Sequence, residues 1–284
     1  MFREKTLFIS DLDGTLLNDS AELSEYTFDS LSRLITAGMN FTFASARRLK
    51  EAIRVLPGIA LHQPVILQNG AMVYDMQRSE YSRVCYLPHD SVLAIIEIYK
   101  AHGTAGFLRE FVDGEDHSYH DTFGQDEQPD FVNTRIERYR RQPGHKESFA
   151  ELSPGFVVHT SLFDRYERLA PIRDEVAKLP GLSIVFYQDT YDLSMWLLEI
   201  NSHEASKQTA VNFIRLTCGY ERIIGFGDNL NDIPLLAACD IGIAVANAKP
   251  EVRAAANQIC ESNNDDGVIK WIEAYVAQNG SIMP

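Results

Sequence analysis

The sequence predicts an α/β fold: a doubly wound parallel sheet carrying an inserted α+β domain. Three observations predict it. Residues 6 to 68 alternate short apolar, β-branched runs with amphipathic helical stretches across short connections, the rhythm of a parallel sheet with crossover helices. From about residue 88 to about 195 that rhythm gives way to mixed two-residue and 3.6-residue periods, with enough apolar faces for a second core. Strand and helix then alternate again to the C-terminus. At 284 residues the chain exceeds one average domain. The expected division is residues 1–87 for the first part of the core, 88–195 for the insert and 196–284 for the second part of the core.

Thr6 to Ser10 is a short apolar run suited to a buried strand, and it stops on Asp11-Leu12-Asp13-Gly14. Residues 21 to 38 carry a helix signature: Leu23 and Phe28 form a hydrophobic staple around Ser24 as N-cap, Leu31, Leu34 and Ile35 continue the apolar face, and Gly38 follows the end. Asn40 to Ala44 gives a second strand, ending on Ser45-Ala46-Arg47 before a helix with Leu49, Ala52, Ile53 and Leu56. Pro64 to Gln68 is a third strand, ending on Asn69-Gly70. Sites in such sheets collect at the carboxyl ends of strands, where Asp11 and Ser45 fall. Ala71 to Asp75 and Tyr81 to Leu87 then read as a hairpin around Met76 to Glu80, which a strictly parallel sheet does not need.

Within the insert, a helix opens at Pro88-His89-Asp90 and closes at Gly103. Strands are expected over residues 105–112, 155–163 and 182–188, and helices over 131–141 and 165–178. Met195 to Ile200 is a further strand, after which Ser206 caps a helix running to Gly219. Arg222 to Gly227 is a strand that stops on Asp228-Asn229-Leu230-Asn231-Asp232, before a short helix from Ile233 to Cys239. A strand from Ile241 to Val245, a helix led by Pro250 and a helix over Val268 to Val276 complete the chain.

With 45% hydrophobic and 23% charged residues, the composition is that of an ordinary globular protein. A formal net charge of -14 argues against nucleic acid and anionic membrane as partners, because phosphate backbones are bound by clustered Lys and Arg. No obligate protein partner is evident. Met1 to Lys5 run straight into the first strand, leaving no room for a signal peptide, and no apolar run is long enough to span a bilayer, so cytoplasmic location is expected. Cys85, Cys218, Cys239 and Cys260 are scattered without metal-ligand spacing and are expected to be reduced.

Asp11 and Asp13 follow the first strand on alternate residues, so both can reach beyond its end. Two close carboxylates stay ionised together only if well solvated or if they share a cation, and Mg²⁺ takes such oxygen ligands. A bare DxD is ordinarily just a polar strand exit. At the second junction, Asn231 or Asp232 can serve as a helix cap, which leaves Asp228 unexplained. Lys207, at the first helical position, is disfavoured by the helix dipole; on position alone it reads as a surface residue, or else as half of an anion site. In the insert, Asp113, Glu115, Asp116, His117, His120 and Asp121 lack regular ligand spacing and read as a solvated loop without metal. Arg135, Arg138, Arg140 and Arg141 read as a solvated helix face, and Tyr191 and Trp196 as core.

Set in order, these junctions resemble the motifs of the haloacid dehalogenase (HAD) superfamily of phosphohydrolases. Asp11-Leu12-Asp13-Gly14-Thr15 is similar to its first motif, Ser45 to the second, Lys207 to the third, and Gly227 to Asp232 to the fourth. Asn69-Gly70, the position of the insert and Ala246-Asn247-Ala248 further resemble the Cof-type branch, whose members carry an α/β cap on a Rossmann-like core. Ala46 and Gln208 stand where glycine is common in the family. The resemblance implies that Asp11 is the nucleophile and Asp13 the general acid/base. It implies Mg²⁺ held by Asp11, the backbone carbonyl of Asp13 and Asp228, with Asp232 orienting metal-bound water. Ser45, the Ala46 and Leu12 N–H groups, Asn231 and Lys207 are implied to hold the phosphoryl oxygens. The expected function is a Mg²⁺-dependent phosphatase of small phosphorylated metabolites, such as sugar phosphates or similar monoesters, working through an aspartyl-phosphate. A phosphotransferase or mutase on the same core stands as the alternative. A retired, phosphate-binding regulatory module is a third reading, disfavoured because every charged motif residue is present.

Overall fold

A computed structural model describes residues 5–104, 106–121, 144–146, 154–189 and 192–279. The helix expected at 131–141, with its four arginines, and Tyr191 lie outside these residues. The chain forms two compact units, Met1–Arg83 with Ala205–Pro284, and Val84–Glu204.

The first unit begins with β1 (Thr6–Ser10), buried at every residue. Helix α1 (Glu25–Thr36) starts at the expected N-cap: the Ser24 hydroxyl accepts from the Thr27 N–H, and Thr27, Ser30, Leu31 and Leu34 form the buried face. Strand β2 (Asn40–Phe43) pairs parallel with β1, and α2 (Leu49–Arg54) leads on to β3 (Val65–Leu67). A single parallel bridge, Ala44 to Ile66, joins β3 to this edge. Strands β4 (Met72–Asp75) and β5 (Glu80–Val84) then extend β3 into a three-stranded sheet, β3 and β4 running antiparallel.

The second unit packs α3 (His89–Ala101) and α4 (Tyr166–Val176) on a sheet. Its strands are β6 (Phe107–Val112), β7 (Glu115–Asp121), β8 (Gly144–Lys146), β9 (Val157–Asp164), β10 (Leu182–Gln188) and β11 (Trp196–Ser202), in the order β10-β11-β9-β6-β7-β8. Ile95, Tyr99, Leu169 and Ile172 from the helices meet Leu108, Leu162, Leu198 and Ile200 from the strands in one buried cluster. The segment from Asp113 to Asp121, expected as a solvated loop, is instead a turn followed by a strand. Asp113-Gly114 forms a two-residue turn with both φ positive, and the register pairs Val112 with Glu115 and Phe107 with His120. His120 is only 4% exposed. Strand β11 pairs with β10 over seven residues and also with β9. The strand placed at the start of the second core segment thus belongs to this sheet, and the first unit resumes at Ala205 rather than at 196.

That return supplies α5 (Lys207–Cys218), β12 (Arg222–Gly227), α6 (Ile233–Ala238), β13 (Ile241–Val245), α7 (Pro250–Ala255), β14 (Gln258–Cys260) and α8 (Gly267–Asn279). The central sheet has the order β14-β13-β12-β1-β2, every pair parallel. From β1 the chain first builds to one side, through β2, and later to the other, through β12, β13 and β14. The order therefore reverses between β1 and β12, and the crevice beyond the carboxyl ends of these two strands is where an open α/β sheet accepts a ligand. Asp11 follows β1 and Asp228 follows β12. No helix among the described residues is long and apolar enough to cross a membrane.

Candidate active site

Helix α5 presents Lys207, Ala210, Val211 and Ile214 on its buried face, so the lysine shares the helical stripe that packs on the sheet. Position alone assigned Lys207 to the surface; its side chain is 0% exposed. Its ammonium donates to Asp11 Oδ1 and to Asp232 Oδ1, each at 2.5 Å. The other oxygen of Asp232 accepts from the backbone N–H groups of Asp228 and Asn229, at 3.1 and 3.0 Å. One carboxylate thus closes the turn after β12 and anchors the lysine. The Asn229 side chain, rather than Asn231, accepts from the Leu230 N–H.

Asp228 is held by the Thr15 hydroxyl, which donates to its Oδ1 at 2.9 Å. Between them lies Gly14, with φ +80; a Cβ there would stand 2.7 Å from Asp228 Oδ2, so both the backbone conformation and the close approach require glycine. The Asn247 amide donates to the Gly14 carbonyl at 2.8 Å and fixes the same loop from a third segment.

Burial pushes the Asp11 carboxyl up to about 7, against the pull of Lys207, and Asp232 and Asp228 add to the rise. Asp228 is also raised, chiefly by burial. Burial pulls the Lys207 ammonium down, but Asp11 and Asp232 outweigh it and hold the group above its ordinary value. Asp11, Asp228 and Asp232 each place a carboxylate oxygen within 4.8 Å of the others. Three buried or half-buried carboxylates against Lys207 carry an excess of negative charge, and an all-oxygen donor set of this kind fits a hard divalent cation.

The remaining expected residues surround this centre in different states. Asp13 turns its half-exposed carboxylate onto Arg47, which donates from Nε to Oδ2 at 2.7 Å and from Nη2 to Oδ1 at 2.5 Å. Leu12 is buried, and its carbonyl accepts from the N–H groups of Thr15, Leu16 and Leu17. Ser45 is buried at the end of β2, with its hydroxyl oxygen accepting from the Arg47 N–H. Ala46 is exposed and is not among the residues with positive φ, so alanine in place of glycine brings no backbone strain. Asn231 is exposed and donates to Asn69 Oδ1 at 3.0 Å. Sequence reasoning gave no individual role to Arg47, Thr15 or Asn69, although Thr15 and Asn69 belong to motifs it singled out and Arg47 follows Ser45-Ala46.

A family model described as haloacid dehalogenase-like hydrolase matches residues 8–272. The chain is 26% identical over 278 residues to the 5-amino-6-(5-phospho-D-ribitylamino)uracil phosphatase YitU of Bacillus subtilis, covering 95% of this chain and 97% of that protein. It is 25% identical over 270 residues to the pyridoxal phosphate phosphatase YbhA of Escherichia coli, covering 94% and 97%. The crystal structure of TM0651 from Thermotoga maritima aligns with a TM-score of 0.76 at 25% identity, over 96% of this chain and 97% of that one. The family match begins in β1, runs through the second unit and ends in α8, so that every residue of the site lies inside it: the chain belongs to the haloacid dehalogenase-like hydrolases.

Proposed function

We propose that this hydrolase is a Mg²⁺-dependent phosphatase of small phosphorylated metabolites, sugar phosphates or similar monoesters, acting through an aspartyl-phosphate on Asp11. The observation that carries the reading is the buried Lys207 clamped between Asp11 and Asp232, with Asp228 beside them, at the reversal point of the sheet. The relatives named as phosphatases of a phosphoribityl compound and of pyridoxal phosphate support a small monoester as substrate.

In this reading Asp11 attacks phosphorus in line, and the bond to the ester oxygen breaks as Asp13 gives that oxygen a proton. Asp13 then takes a proton from water, whose oxygen attacks phosphorus and releases inorganic phosphate and Asp11. To serve in either step, the Asp13 carboxylate must turn from Arg47. Lys207 offsets part of the cost of charging the buried Asp11, favouring its ionised form, and with Ser45, the Leu12 and Ala46 N–H groups and Asn231 it holds the phosphoryl oxygens. Asp11, Asp228 and the Asp13 carbonyl would hold Mg²⁺, with Asp232 next to them, and the ion would supply positive charge to the phosphoryl group. The inserted unit, which the notional boundaries 88–195 approximate, is assigned the choice of substrate, because the chemical groups all come from the first unit.

Two measurements test this. Excess chelator is expected to abolish phosphate release from an aryl phosphate, and Mg²⁺ to restore it; full activity in chelator removes the metal from the reading. Asp13→Asn keeps the nucleophile but loses proton transfer, a contribution of about 10²–10⁴-fold. Its defect is expected to be larger with a sugar phosphate, whose alkoxide needs the proton, than with an aryl phosphate. Equal defects with both substrates exclude Asp13 as the general acid.

A further inference from the structure

We infer that Asn69 is a positioning residue that holds the Asn231 amide in the orientation that donates to phosphate. The inference rests on the proposed phosphate-binding role of Asn231 and adds a residue to it. The turn after β3 carries three successive left-handed residues, Gln68, Asn69 and Gly70, with φ of 50°, 56° and 96°. A glutamine in that region is strained, and asparagine is among the few side chains that tolerate it. Such strain persists where surrounding contacts impose it, and here they come from the site. The Gln68 N–H donates to the Arg47 carbonyl at 3.2 Å and the Asn69 N–H to the Ser45 carbonyl at 3.0 Å. At Gly70 a Cβ would lie 2.1 Å from the Ser206 carbonyl oxygen and 2.7 Å from the Lys207 nitrogen. One strained turn therefore adjoins the segments that carry Ser45 and Lys207.

From this turn Asn69 Oδ1 accepts from Asn231 Nδ2 at 3.0 Å. A primary amide has two N–H donors and one carbonyl. Asn69 takes one donor, leaves the second for an anion and fixes which end of the Asn231 amide lies where. Without that acceptor the amide is free to flip and present its carbonyl oxygen, which repels phosphate. Asn69 and Asn231 are both exposed, so their hydrogen bond competes with water and acts through orientation rather than through stability.

Asn69→Gly keeps the left-handed backbone and removes only the amide. With the whole chain and Mg²⁺, the inhibition constant of inorganic phosphate is expected to rise about three- to tenfold, the span of one hydrogen bond. Asn231→Ala is expected to raise it at least as much, and the double variant to match Asn231→Ala alone, since Asn69 acts only through Asn231. An unchanged constant in Asn69→Gly beside a raised one in Asn231→Ala overturns the inference and leaves the phosphate role of Asn231 standing. So does an additive double variant, which marks Asn69 as acting on the fold or on phosphate by itself. An unchanged constant in Asn231→Ala removes the role of Asn231 and the inference with it.

Discussion

Asp11→Asn is expected to bring turnover down to the uncatalysed background, a loss of about 10⁴-fold or more, the usual effect of removing a covalent nucleophile, which is the role proposed for Asp11. The amide is nearly the same shape but has no anionic oxygen to form the bond to phosphorus. The fold is expected to survive. Asp11 is buried and its ionised form is disfavoured by burial, so a neutral isostere spares the folded state that cost, while Lys207 keeps Asp232 as its partner. Thermal melting without added metal is therefore expected to show no loss of stability in Asp11→Asn, alongside near-zero release of phosphate from both aryl and sugar phosphates. A residual rate within about tenfold of the unsubstituted enzyme, with an active-site titration that rules out contamination, assigns the bond-forming oxygen to another residue.

Lys207→Met is expected to damage both folding and turnover. The methionine fills much of the same volume but leaves Asp11 and Asp232 facing each other with no cation between them. Breaking a buried pair by removing one partner costs about 3–5 kcal/mol. Loss of the positive charge proposed to face the phosphoryl group is expected to lower kcat by about 10²–10³-fold, the usual cost of one electrostatic donor. The stability loss has a sign in pH. In the folded enzyme Asp11 is already raised from 3.8 to about 7, and removing the pull of Lys207 raises it further. A carboxyl raised on folding favours the fold below its unfolded value and loses that contribution as pH rises through its folded value. The deficit of Lys207→Met relative to the unsubstituted protein, read from metal-free urea unfolding, is thus expected to be smallest near pH 4 and largest above pH 7. A deficit independent of pH ties the loss to packing instead of charge.

The central strands and the acidic corner were legible because apolar runs that stop on carboxylates have one ready explanation in a parallel sheet. Ser24 and Ser206 marked helix starts, and both hydroxyls cap as expected. Lys207 was harder. Its place at a helix start argued for solvent, while its spacing of three, four and seven residues from Ala210, Val211 and Ile214 put it on the apolar stripe, and burial followed the spacing. The hairpin at Asp113-Gly114 was obscured by the charge of the strand that follows, although the dipeptide itself is a strong turn signal. Strand β14, three residues long, is too short to carry a period. The pairing of β11 with β10 and β9 depends on partners distant in sequence, so its hydrophobicity marked a strand without saying which sheet it joins. Arg47 and Asn69 meet their partners only through folding: neither Asp13 nor Asn231 is a neighbour along the chain.

The strand order also sets a timetable for biosynthesis. Strand β1 needs β12 along one side, and the register joins Thr6 to Arg222. Ribosomes add about 5–20 residues per second, so on the order of ten to forty seconds separate the emergence of these two partners. Through that interval a strand that is buried at every residue in the finished fold has only β2 beside it, and the whole of Val84–Glu204 is made before the wait ends. Asp11, which follows β1, therefore exists long before Lys207 and Asp228, and the candidate site is completed only after the whole of Val84–Glu204 has been translated.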